Sequence, residues 1–61
     1  MVQVELFEEE EASEMEDELN KFLEKIADED ILKINYEVRP LLAASGVLRV
    51  YYEALVVYRV K

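Results

Sequence analysis

The chain has 61 residues, no cysteine, no histidine and a net charge of −8 at pH 7. That length makes one domain at the small end, where a hydrophobic core alone is marginal. Disulfide staples, a cysteine-based zinc site and the usual transition-metal ligands are excluded, which leaves oligomerisation as the common remedy. The charge is split. Residues 1–30 hold 13 acidic and 2 basic side chains, and residues 31–61 hold 2 acidic and 5 basic ones. An acidic half joined to a mildly basic half argues against DNA or RNA binding, which needs a cationic surface. The same asymmetry suits one copy of the chain meeting another. No apolar run approaches membrane-spanning length and no signal-peptide pattern opens the chain, so a cytoplasmic protein without a membrane partner is expected.

Val2, Val4 and Leu6 alternate with Gln3, Glu5 and Phe7 and predict a short first strand of about six residues. Glu8 to Glu11 follow, too charged to be buried. Ser13 and Glu16 have the spacing of a capping box. Met15, Leu19, Phe22, Leu23 and Ile26 recur at three- and four-residue steps, so a helix is predicted from about Glu14 to Ala27. Asp28-Glu29-Asp30 ends it. Leu32, Ile34, Tyr36 and Val38 then alternate with Lys33, Asn35 and Glu37. From Leu48 to Val60 every even position is apolar or aromatic. These are two strands of one long hairpin.

The turn fixes how the two strands meet. A two-residue Ser45-Gly46 loop would pair 44 with 47 and set the apolar face of one strand against the polar face of the other. A three-residue Ala44-Ser45-Gly46 loop pairs 43 with 47 and places glycine where this loop class needs a left-handed residue. The facing pairs become Leu42/Leu48, Pro40/Val50, Val38/Tyr52, Tyr36/Ala54, Ile34/Val56 and Leu32/Tyr58. Pro40 cannot donate to a ladder, so its strand belongs at a sheet edge. The proline alone would favour a loop over 39–46, whereas the apolar Leu41-Leu42-Ala43-Ala44 run favours the strand; the long hairpin is preferred.

The fold expected is α+β, in the order β-α-β-β. A three-stranded antiparallel sheet of order 1-3-2 carries one helix on one face and ends in the long hairpin. The helix stripe should rest on Ile34, Tyr36, Ala54 and Val56. Each hairpin arm of about 13 residues extends ~43 Å, while a helix of about 14 residues covers only ~21 Å. The distal arm is therefore left bare, and contiguous apolar exposure of that kind marks an interface. A homodimer through residues 39–50 is expected, with Pro40, Leu41, Leu42, Leu48 and Val50 buried in it. Arg39 and Arg49 would approach the partner's acidic helix start.

No catalytic constellation is present. Without cysteine, histidine or threonine, Ser13 and Ser45 are the only hydroxyl candidates besides tyrosine, and each has a structural role as cap or turn residue. Paired carboxylates alone need a sugar-sized cleft that a chain this small has little room for. No enzyme, cofactor or metal site is expected. The run Glu8 to Glu18 lacks the spacing of a calcium loop and reads as a solvated helix start favoured by the helix dipole. Tyr36, Tyr52 and Tyr58 fall on the apolar face and read as packing residues. The leading function is an adaptor or regulator that binds itself and a further protein. The alternative is an acidic mimic of nucleic acid that blocks a DNA-binding protein.

Val4-Glu5-Leu6-Phe7-Glu8, Leu19-Asn20-Lys21-Phe22-Leu23, Ile34-Asn35-Tyr36 and Ala54-Leu55-Val56-Val57-Tyr58 together resemble the small sporulation-associated proteins of spore-forming Firmicutes. Those chains are of similar length and have no assigned biochemical activity. The likeness covers most of the chain and is weakest from Arg39 to Arg49. It implies a bacterial cytoplasmic setting in the mother cell, and it transfers no catalytic or ligand residue.

Overall fold

The long, apolar last strand is the centre of the molecule. A computed structural model describes all 61 residues as β1 (Val2–Glu9), α1 (Ala12–Leu23), a 3-10 turn (Asp28–Asp30), β2 (Ile31–Leu42) and β3 (Leu48–Arg59). The sheet order is β1-β3-β2 and both pairings are antiparallel. Fold class, element order and sheet order agree with the sequence reading.

The hairpin closes through the three-residue loop. The Ala43 amide donates to the Val47 carbonyl at 2.9 Å and the Gly46 amide to the Ala43 carbonyl at 2.9 Å. Gly46 has φ +85°, the left-handed conformation that this position demands. Pairs Ile34/Val56 through Leu42/Leu48 stand as expected, and β2 runs through Pro40 rather than yielding to a loop. The expected Leu32/Tyr58 pair does not form. A bulge between Ile31 and Lys33 makes Ile31 the partner of Tyr58 and leaves Leu32 as the extra, unpaired residue.

Hydrogen-bond parity explains why Pro40 is tolerated. Position 43 bonds position 47, and bonded and non-bonded pairs alternate along an antiparallel ladder. The odd positions 41, 39 and 37 therefore bond to β3, and the backbone groups of even positions point to the free edge. Pro40 lacks only a donor that would have met solvent.

The first strand is longer than expected. It continues through Glu8 and Glu9, which pair with Glu53 and Tyr52. Its register sets Phe7 opposite Ala54 and Gln3 opposite Tyr58. The side of β1 that faces the helix is thus Gln3, Glu5, Phe7 and Glu9, while Val2, Val4 and Leu6 lie exposed on the other face. Phe7 and Tyr58 each meet Phe22 edge to face, with centroids 5.3 and 5.2 Å apart, and the Tyr58 hydroxyl donates to Gln3 Oε1 at 3.1 Å. An aromatic cluster rather than an aliphatic stripe joins β1 to the helix.

The helix also differs from its predicted span. It begins at Ala12, with Glu11 at the N-cap and no side-chain cap, because the longer β1 leaves only Glu10 and Glu11 to make the turn. Ser13 consequently lies inside the first helical turn, and the capping box is not formed. At the other end the chain tightens, with Lys25 bonding to Phe22 and Ile26 to Leu23, so the α-helix stops at Leu23 rather than Ala27. That tightening turns the chain toward β2.

α1 packs on β1 and β3. Met15, Ala54 and Val56 form the buried core at 2, 1 and 0 % exposure. Ile34 and Tyr36, expected beneath the helix, remain 43 and 52 % exposed. Geometry accounts for it. A helix about 10 Å wide spans two strands set ~4.8 Å apart, and the third lies beyond its flank. The molecule measures 47 × 19 × 11 Å with a radius of gyration of 13.9 Å. A compact domain of this length has a radius near ~10.5 Å. Its surface of 4667 Å² likewise exceeds the ~4,100 Å² of a compact chain of this mass.

Candidate self-association surface

The distal arm projects beyond α1 on both of its faces. Pro40, Leu42, Leu48 and Val50 share the helix-side face of the sheet, and Arg39, Leu41 and Arg49 lie on the reverse. Leu42 and Leu48 are 70 and 62 % exposed, and Leu41 is exposed as well. Val50 alone of the apolar candidates is half-buried. The seven residues are therefore adjacent in space without forming one continuous patch.

Both arginines have partners within the chain. Arg39 Nη2 lies 3.2 Å from Glu53 Oε2, and Arg49 Nη1 lies 3.6 Å from Glu10 Oε1. Arg49 thus meets an acidic helix start, but the one belonging to its own chain. A third pair joins Lys61 Nζ to Asp30 Oδ2 at 3.6 Å, beside the buried carboxylate of Asp30. Lys33 and Glu37 form no ion pair.

Sequence reasoning missed the flank of β2. Leu32, Ile34, Tyr36 and Val38 continue the bare apolar face from the arm toward the base of the hairpin. The Tyr36 and Tyr52 rings are tilted against each other at 6.5 Å. Between this flank and α1 runs a groove of about 260 Å³ lined by Ala12, Met15, Glu16, Leu19 and Tyr36. The signal lay in the helix width, since the length comparison treated cover along the strands and not across them. On the reverse face, Val2, Val4 and Leu6 join the half-buried Leu55 and Val57.

Two groups of carboxylates stand out electrostatically. Glu8, Glu53 and Glu37 form a row across the three strands of the reverse face, with Arg39 beside its centre. Like charges directly opposite one another disfavour a strand pair, and the arginine offsets that cost. On the helix side, Glu9 lies against Glu18 and Glu14. A hydrogen bond with Glu18, aided by desolvation and by Glu14, pushes the Glu9 carboxyl up to about 7 from 4.5. Protonation of Glu9 relieves its repulsion with Glu18 and Glu14. No three carboxylates are disposed to hold a metal ion, and no helix is long and apolar enough to cross a membrane.

Residues 1–60 match the model of a family described as sporulation protein Cse60. Searches of curated proteins and of solved structures give no match.

Proposed function

The chain belongs to the sporulation protein Cse60 family, and from that premise we propose that it is a non-enzymatic protein-interaction module of sporulating cells. It acts in the cytoplasm as an adaptor or regulator, associates with itself as a homodimer and carries a further protein partner. The supporting observation is the fold's unfinished burial. Only four residues are buried, while Leu32, Ile34, Tyr36, Val38, Leu42 and Leu48 lie exposed along one face of the hairpin. Contiguous exposure on that scale is characteristic of interaction surfaces. The sequence reading sets this contact on the arm residues Arg39, Pro40, Leu41, Leu42, Leu48, Arg49 and Val50.

The acidic first half gives less support to nucleic-acid mimicry. A mimic needs carboxylates that are spread apart, as phosphates are, whereas Glu9, Glu14 and Glu18 crowd together at the helix start. Sedimentation equilibrium tests the self-association directly. A dimer mass at micromolar concentration is expected; Leu42→Glu together with Leu48→Glu shifts it toward monomer where the arm is the contact. A concentration-independent monomer mass for the unmodified chain would overturn the reading.

A further inference from the structure

The free edge of β2 is self-complementary, and we propose that two copies of the chain pair there, β2 against β2, antiparallel about a two-fold axis at Asn35. The proposal rests on the self-association reading but sets the paired segment on the flank of β2, with the arm residues beyond it.

The backbone comes first. Parity within the hairpin directs the amides and carbonyls of Ile34, Tyr36 and Val38 away from β3, and all three residues are exposed. Two such edges bond only where even positions meet even positions. That condition admits registers centred on single residues, and the side chains choose among them. With Asn35 on the axis, Lys33 lies opposite the partner's Glu37, and symmetry repeats the pair. Neither residue has an ion pair in its own chain, so both charges are free to form this one. On the helix-side face, Ile34 meets the partner's Tyr36 and Leu32 meets the partner's Val38. One face is charge-matched and the other is apolar throughout.

The neighbouring registers fail on chemistry. An axis at Tyr36 sets Lys33 against the partner's Arg39. An axis at Glu37 sets that glutamate against itself and puts Pro40 opposite Ile34, whose carbonyl then finds no donor. An axis at Ile34 places the partner's Glu37 opposite Ile31. The other free edge, β1, carries Glu5, Glu8 and Glu9 and no cation, so it offers a second copy no charge complement. The favoured pairing covers Leu32 to Val38. Pro40 falls just past its end, and the bulge at Leu32 terminates it on the other side. A continuous six-stranded sheet results, with Ile34, Tyr36 and Val38 of both copies between the two helices.

The absence of cysteine makes the register directly readable. Asn35 would occupy a non-hydrogen-bonded position on the axis, where Cα atoms approach to about 4.5 Å, within disulfide range. Asn35→Cys should therefore form a disulfide dimer under mild oxidation, while Leu48→Cys at the hairpin tip should not. In sedimentation, Lys33→Glu or Glu37→Lys alone should weaken the dimer by about tenfold or more, and the two together should restore it. Circular dichroism of each variant should match the parent, because both positions are exposed. A parent dimer in which Leu48→Cys cross-links and Asn35→Cys does not, or in which the double exchange fails to rescue, overturns the edge register and leaves self-association standing. A monomeric parent overturns both.

Discussion

The two ends of the hairpin are built from similar residues and have opposite fates. At the base, Ala54 and Val56 on β3 are sealed beneath Met15 and flanked by Phe7, Phe22 and Tyr58. At the tip, Leu42 and Leu48 face each other on the same side of the same sheet and stay in solvent. Strand propensity and alternation do not distinguish them. What differs is the reach of a 12-residue helix, about 18 Å along a molecule 47 Å long. Apolar pattern specifies which face wants cover, while the length and width of the covering element decide where it is met.

The sharpest way to break this contrast is to delete the same kind of bulk at each end. Met15→Ala removes a buried side chain from the seal and should cost about 2–5 kcal/mol, most of the stability of so small a domain. Leu42→Ala should change intrachain stability by less than about 0.5 kcal/mol, because most of that side chain is already in water. Urea unfolding of both variants at one low protein concentration compares them, since association would otherwise contribute to the tip's value. Equal losses at the two ends would mean that the arm packs on its own body.

Phe22→Ala should fall below Met15→Ala. A fully buried phenylalanine costs about 3–5 kcal/mol on truncation, but Phe22 is only half-buried, so about 2–3 kcal/mol is expected here. Its edge-to-face contacts with Phe7 and Tyr58 keep the value from falling further. Phe22→Leu should recover part of the loss. Full recovery would show that apolar volume, and not ring geometry, joins β1 to α1.

How legible each part was follows from how it is connected. The β2–β3 register was readable from Leu42/Leu48 to Ile34/Val56, because a three-residue turn with glycine in the left-handed position fixes it, and it failed at Leu32, where a bulge intervenes. The β1–β3 register was not, because a helix separates those strands and no turn relates them. The alternation in Val2, Val4 and Leu6 marked a strand correctly but gave no indication that Phe7 would be the residue turned to the helix. The capping box at Ser13 and Glu16 had the right spacing and failed because Glu8 and Glu9 extended β1 and moved the helix start forward. The arm was foreseen from strand length. The bare flank of β2, with Ile34 and Tyr36 at its middle, was not, since that requires knowing which two strands the helix lies over.

The smallest expected effect belongs to Glu9, where the covered end carries a strain that the tip lacks. Its carboxyl holds a proton up to about 7 in the folded chain, against an ordinary value of 4.5. Below 4.5 folded and unfolded chains are both protonated at this group and it contributes its full share of stability. Between 4.5 and 7 the unfolded chain releases the proton while the folded chain keeps it, so stability falls as pH rises through that window. Above about 7 the group is charged in both states, and the folded chain bears the repulsion of Glu18 and Glu14. Glu9→Gln keeps the hydrogen-bonding shape and removes the charge at every pH. It should therefore melt higher than the parent at pH 8 and close to the parent at pH 4.5, while flattening the decline between them. Glu37→Gln, on the exposed flank, should show no comparable difference between the two pH values. Superimposable melting temperatures for Glu9→Gln and the parent at pH 8 would show that the three carboxylates relax apart in solution, and that the covered end is no more strained than the arm.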